Sequence, residues 1–183
     1  MKSLVSAACC LALCCALAIA QGAHKAAPAG EGAADAMTDQ QFVDFAAQTD
    51  MTEANLGQLA QSQASAQSLK DYAQTLITDH TNDYTQLSTV AAKANLVVPK
   101  GLDAAHDKMI APFSNLKGAA FDRRYIQEMI AGHTKAMGVY TKEAADAQSA
   151  DLKAYASQTL PTLQRHLDGA KDLAKPKSSA KNM

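Results

Sequence analysis

The sequence predicts an all-α chain, on three observations. Apolar residues recur at steps of three and four along four long stretches, the spacing of a helix face that packs inward. The chain is rich in Ala and Gln, has no Trp, and keeps its Gly and Pro mostly between those stretches, a composition that favours helix. The connections between the stretches read short, long, short. That is the wiring of a ferritin-like four-helix bundle with one long crossover between the second and third helices.

Residues 1–20 are a separate object. Lys2 supplies a short positive start, Leu4 to Ala20 is apolar and uncharged, and Ala18-Ile19-Ala20 is an A-x-A cleavage signal. A cleaved signal peptide is expected, with Gln21 as the mature N-terminus and no transmembrane anchor left afterwards. All four cysteines (Cys9, Cys10, Cys14, Cys15) lie in this segment. The residues before Cys9 and Cys14 do not fit a lipidation site, so simple cleavage is the better reading. Residues 21–37, mostly Ala, Gly and Pro with scattered charge, read as a flexible tether. His24 within it is a solvated residue. Residues 38–174 form the bundle and residues 175–183 a polar tail.

The first helix begins at the N-cap Thr38, with Gln41 at the capping-box position. Its seam runs Phe42, Ala46, Thr49, Glu53, Leu56, Ala60. The polar stretch Gln61 to Ser68 lacks Gly and Pro, but one helix from Thr38 to Ala94 would be too long for a globular protein. A break is placed near Ser65. The second seam runs Leu69, Ala73, Leu76, His80, Tyr84 (or Asp83), Leu87, Ala91. Asn95 to Gly118 holds Pro99, Gly101, Pro112 and Gly118, with a short helix over Leu102–Ile110 ended by Pro112. Such a segment can return the chain along a bundle of about 40 Å. His106, inside it, is given a surface position. The third helix, Ala119 to Ala147, has the seam Asp122, Ile126, Met129, His133, Ala136, Tyr140, with Phe121, Tyr125 and Met137 beside it. Ser149 or Asp151 caps the fourth, whose seam is Leu152, Ala156, Thr159, Leu163, His166, Ala170, Leu173. Pro161 should kink this helix or leave the Ser157 carbonyl unpaired, at roughly 3 kcal/mol unless compensated.

Each seam is interrupted near its middle by a residue with chemistry: Glu53, His80, His133 and His166. Mid-helix residues of aligned helices meet at one depth, and facing helices are how bundles build metal sites. One carboxylate and three imidazoles suit a transition ion such as Zn, Fe, Mn, Ni or Cu. The same four groups also suit a hydrogen-bonded polar layer that fixes helix register without a metal. Both readings fit the sequence. Asp50 and Asp79 are candidates to accept ring N–H groups, and Tyr125 is placed near the layer, as a core aromatic or a redox-active phenol. Met129, His133 and Met137, at i, i+4 and i+8, would favour Cu(I) if the thioethers were ligands. Such a stripe is more often core packing.

Several classes are excluded. Glu-x-x-His is absent, since Ile77, Ile130 and Leu163 stand three residues before the histidines, so a carboxylate-rich di-iron centre is not expected. There is no G-x-S-x-G motif and no phosphate-cradling Gly loop. No enzymatic activity is therefore read from the chain. The net charge is −1, and −2 after loss of residues 1–20, without a basic face for nucleic acid.

Phe42-Val43, Ala54-Asn55-Leu56, Asp79-His80, the run Gly118 to Tyr125 leading to Met129 and His133, and Leu160-Pro161-Thr162-Leu163 with Gln164-Arg165-His166 carry a resemblance. Over about Thr38 to Leu173 the chain resembles the exported bacterial ferritin-like family catalogued as domain-of-unknown-function family 4142. The resemblance implies a four-helix ferritin-like fold, export to the periplasm with outer-membrane association in many members, and no established activity. The expectation is thus an exported protein, stress-associated or metal-binding, holding one transition ion (Zn, Fe, Mn or Cu) between Glu53, His80, His133 and His166, with Asp79 and Tyr125 beside them. The alternative is a metal-free structural or interaction module. A protein partner is not specified by the sequence.

Overall fold

The computed structural model describes residues 37–176. The expectations for the signal peptide and His24, and most of those for the tether and the polar tail, lie outside the described residues. Within them the chain is all-helical: α1 Asp39–Gln63, α2 Gln67–Lys93, α3 Ala104–Ile110, a 3-10 turn Ala111–Asn115, α4 Gly118–Asp146 and α5 Ala150–Ala174. No helix among the described residues is long and apolar enough to cross a membrane.

α1 starts as its sequence dictates. The Gln41 N–H donates to Thr38 Oγ1 (3.3 Å) and the Thr38 N–H donates to Gln41 Oε1 (2.8 Å), a complete capping box. α2 differs from expectation. It begins at Gln67, and its N-cap Ala66 offers no side chain. The exposed amides of the α1–α2 turn go instead to Asp122 at the start of α4, which accepts from Ser65 N (3.0 Å), Ser65 Oγ (2.5 Å) and Ala66 N (3.2 Å). Asp122 is therefore not a seam residue of the third helix. The face of α4 that turns inward is Phe121, Tyr125, Met129, His133, Ala136, Tyr140. Successive steps of four at its start put two large rings in the core in place of Asp122 and Ile126, which burial of aromatic area favours.

α5 runs unbroken through Pro161. Pro161 and Ser157 both lie on the exposed face, where water can take the carbonyl that the proline leaves without its N–H donor.

Hydrogen bonds at the ends fix the direction of each helix. Gln40 exchanges two bonds with the backbone of Val97, just past α2 (2.7 and 3.0 Å). Asp39 accepts from Gln148 N and Ser149 N in the α4–α5 turn (2.9 and 2.8 Å). α1 packs on α2 and α4, and α5 packs on the same two. Each long helix is antiparallel to its neighbours, so α2 and α4 point the same way from opposite sides of the ring. The segment between them must therefore travel a helix length, and it does so with α3 and the 3-10 turn laid against α1. Gln48 of α1, buried, clamps this segment by donating to Gly101 O and accepting from Asp103 N (both 3.0 Å). α1 and α2 approach closely at Gly57, where a Cβ would stand 2.7 Å from Ile77 Cγ1.

The interior divides into two apolar clusters. One contains Phe42, Val43, Leu87, Tyr140, Leu152 and Tyr155. The other contains Leu56, Leu69, Leu76, Phe113, Phe121, Tyr125 and Met129. Between them are buried polar residues that include Asp50, Glu53, His80, His133 and His166.

Glu143, in the last turn of α4, is also buried, and its Oε1 lacks a hydrogen-bond partner. Burial, helped by the carboxylates of Asp39 and Asp146, pushes its pKa up to about 7. In the unfolded chain it ionises near 4.5, so between these values the native state holds the extra proton. The stability Glu143 contributes is present at low pH and is lost as pH rises through about 7. Glu143→Gln should match the parent at about pH 4 and exceed it at about pH 8, by roughly 1 kcal/mol. Urea denaturation at both pH values is the check.

Candidate metal centre

α1, α2, α4 and α5 each send one side chain to the same place. Glu53 comes from α1, His80 from α2, His133 from α4 and His166 from α5. All four are at most 4% exposed. The ring centroids stand 5.8 Å (His80–His133), 5.3 Å (His80–His166) and 5.2 Å (His133–His166) apart. One nitrogen from each ring can be chosen so that the three lie within 4.8 Å of one another. Glu53 Oε2 is 3.0 Å from His80 Nε2 and 3.3 Å from His133 Nε2.

The outward-facing nitrogens are all held. His80 Nδ1 donates to Asp50 Oδ1 at 2.9 Å, and His166 Nε2 donates to Asp79 Oδ2 at 2.8 Å. Arg165 braces Asp79 from outside at 3.2 Å. His133 Nδ1 bonds the Met129 carbonyl at 2.9 Å, and since a carbonyl only accepts, that nitrogen must carry the proton. Each ring thus has its tautomer and orientation set by an acceptor, the usual support for a metal-binding histidine.

The inward-facing atoms are not satisfied. Glu53 Oε2, His80 Nε2, His133 Nε2 and His166 Nδ1 are buried and make no hydrogen bond of proper geometry. The short Glu53–His80 separation is that of an ion pair, but the ring N–H direction misses the oxygen. The three ring nitrogens converge, Glu53 Oε2 reaches the His80 and His133 rings, and each of these orphaned atoms would carry a desolvation penalty of about 1–3 kcal/mol or more. A tetrahedral ion with bonds of about 2.0–2.1 Å holds its ligand atoms roughly 3.3 Å apart, close to the two Glu53 separations. The donor chemistry and the unsatisfied atoms therefore fit a transition ion.

In the protein alone Glu53 and His80 hold each other in their charged forms, so an ion entering the layer would displace a proton from His80. Burial tends to raise the Glu53 pKa, but the charges of His133 and His80 outweigh it and hold the carboxyl below its ordinary value. Burial opposes charge on His80 too, yet Glu53 and Asp50 together raise it well above the ordinary imidazole value. His166 behaves oppositely. Burial pushes it down to about 4 despite Asp79, so it stays neutral with a free lone pair on Nδ1.

Gly132 faces the end of the Glu53 side chain. A Cβ there would be 3.2 Å from Glu53 Oε1. A pocket of about 170 Å³ between α1 and α4, bordered by His106 and Met109 of α3, reaches Glu53 and Met129. His106 is partly buried at this rim and bonded to Asp103 (2.8 Å). Tyr125 is buried and stacks on Phe121 (5.6 Å, 18°), and its hydroxyl bonds neither Glu53 nor any histidine. Met129 and Met137 pack into the two different apolar clusters. Asp83 and Thr52, also buried near the layer, carried no distinct signal in the sequence beyond Asp83 falling on the α2 seam.

The profile of the family described as "Domain of unknown function (DUF4142)" matches residues 23–173. The chain belongs to this family. No curated protein matches it. Solved structures of CopM share the fold. CopM in its Cu(II)-bound form has a TM-score of 0.62 at 18% identity, over 74% of this chain and 94% of that one. CopM in its Cu(I)-bound form gives 0.61 at 17% identity, over 74% and 94%. CopM in its Ag-bound form gives 0.60 at 18% identity, over 74% and 93%. DUF4142 thus takes, in this chain, a helical fold that in CopM accompanies bound metal.

Proposed function

We propose that this DUF4142 chain is an exported, periplasmic ferritin-like four-helix bundle that binds one transition-metal ion through Glu53, His80, His133 and His166. The observation that carries the reading is the set of four buried, unpartnered ligand atoms, three of them on imidazole rings that are each fixed from behind. The antiparallel ring of helices with one long crossover supports the ferritin-like description. Three nitrogens and one oxygen suit Zn or Cu(II), with Fe and Mn behind them. The copper- and silver-bound states of CopM make copper the first ion to try. Asp50, Asp79 and the Met129 carbonyl orient the rings. Tyr125 bounds the apolar side. The reading is one of binding, in metal handling or stress, and not of turnover. Export rests on the leader-like residues 1–20, and outer-membrane association on the family resemblance.

A second reading is favoured by one observation, the 3.0 Å Glu53–His80 pair. An imidazolium and a carboxylate there would make a metal-free layer that sets register. Metal content separates the two. The protein, purified from the periplasm without a His-tag, should carry near-stoichiometric metal by mass spectrometry, and His133→Ala/His166→Ala should carry none. Absence of metal from the parent after incubation with Zn, Cu, Mn and Fe would leave the structural layer as the answer.

A further inference from the structure

His80 has a second side. Its Nδ1 faces Asp50 Oδ1 at 2.9 Å, and Asp83, three residues on along α2, brings another carboxylate to the same place. One atom each of Asp50, His80 and Asp83 lies within 4.8 Å of the others. Asp50 is 2% exposed and Asp83 9%. Asp50 Oδ2 and Asp83 Oδ2 are both buried with no hydrogen-bond partner. Among the described residues, no Lys or Arg lies within ion-pair distance of either carboxylate. Carboxylate oxygens buried without a hydrogen-bond partner carry a desolvation cost that an ion ligated there would offset. A pocket of about 190 Å³ lined by Asp50, His80, Thr81, Tyr84 and Thr85 opens beside Asp50 and His80 between α1 and α2. It gives an ion a path in to these two residues.

We propose that Asp50, His80 Nδ1 and Asp83 form a second divalent-cation site, so that the His80 ring bridges two ions. The donor set, two carboxylate oxygens and one nitrogen, suits Cu(II), Zn or Mn. When the second ion takes the Nδ1 lone pair, the proton on that nitrogen leaves to solvent and the ring becomes an imidazolate shared between the ions. Asp50 then turns from accepting the Nδ1–H to ligating the ion. The bridging rests on the reading of Glu53, His80, His133 and His166 as a metal site. The Asp50–Asp83 pair is an observation separate from it.

The experiment is a Cu(II) titration of the metal-free protein, followed by bound copper and by electron paramagnetic resonance. The parent should take up two ions. The first should give the full signal of one unpaired electron. The second should reduce the integrated signal toward zero, because an imidazolate couples the two spins. Asp83→Asn should bind one ion and keep the full uncoupled signal, with an unchanged circular dichroism spectrum. One ion in both proteins would overturn the second site and leave the first. Two ions with additive signals in the parent would overturn the bridge. No ion in the parent would overturn both. If Asp83→Asn does not fold, the parent's signal at two equivalents still decides, since coupling requires the shared ring.

Discussion

Metal at a thousandfold excess over its dissociation constant should raise the unfolding midpoint by roughly 10 °C, and a chelator should reverse the rise. An ion that binds only the native state stabilises it by about 4 kcal/mol at that excess. For a helical domain of this size about 1 kcal/mol corresponds to roughly 3 °C. The cost of parting Glu53 from His80 (3.0 Å) and His133 (3.3 Å) is contained in the dissociation constant and does not change this increment. Calorimetry with and without metal gives the increment directly. In His133→Ala/His166→Ala the increment should vanish. If the layer served register alone, chelation would leave the parent's midpoint unmoved.

Phe42→Ala should lower the midpoint by a similar amount, yet keep the metal-dependent increment. Phe42 is fully buried and stands edge-on to Tyr140 at 4.9 Å and to Tyr155 at 6.3 Å. Its removal forfeits transfer energy and leaves a cavity between three helices, about 3–5 kcal/mol in all, or on the order of 10 °C. Phe42 belongs to one apolar cluster and makes no hydrogen bond to the polar layer, so the two effects should add. Loss of the increment in this variant would mean that the site depends on overall rigidity and not on its own ligands. Thermal scans of both variants, with and without metal, complete the cycle.

The parts of this protein visible in its sequence are the local ones. Thr38 and Gln41 read as a capping box because both partners lie within one turn, and they form it. The seams of α1, α2 and α5 follow their apolar spacing closely, and the polar interruptions at 53, 80, 133 and 166 stand out against it. What the sequence hid is tertiary. Asp122 looks like a seam residue by spacing, but it caps a turn belonging to other helices. Gln48 gives no sign that it will hold the crossover. The aromatic pair Phe121 and Tyr125 shifts the inward face of α4 by one position, a choice made by ring volume that a heptad count does not register. The sequence places Tyr125 near the layer, while the ring stacks on Phe121 and its hydroxyl bonds none of the four residues.

The placement of one donor on each of four helices has a consequence in time. Within the set Glu53, His80, His133 and His166 no two donors come from the same helix, unlike a motif with two ligands a single turn apart. If the four bind an ion as proposed, a nascent or half-assembled chain would be a poor competitor for scarce metal, and loading would wait until α4 and α5 have docked on α1 and α2. Release would meet the mirror constraint: an ion in this layer would leave either by drawing whole helices apart or past Glu53, the donor that the α1–α4 pocket reaches. The folded state would act as its own quality mark, since only a correctly assembled chain would carry the ion.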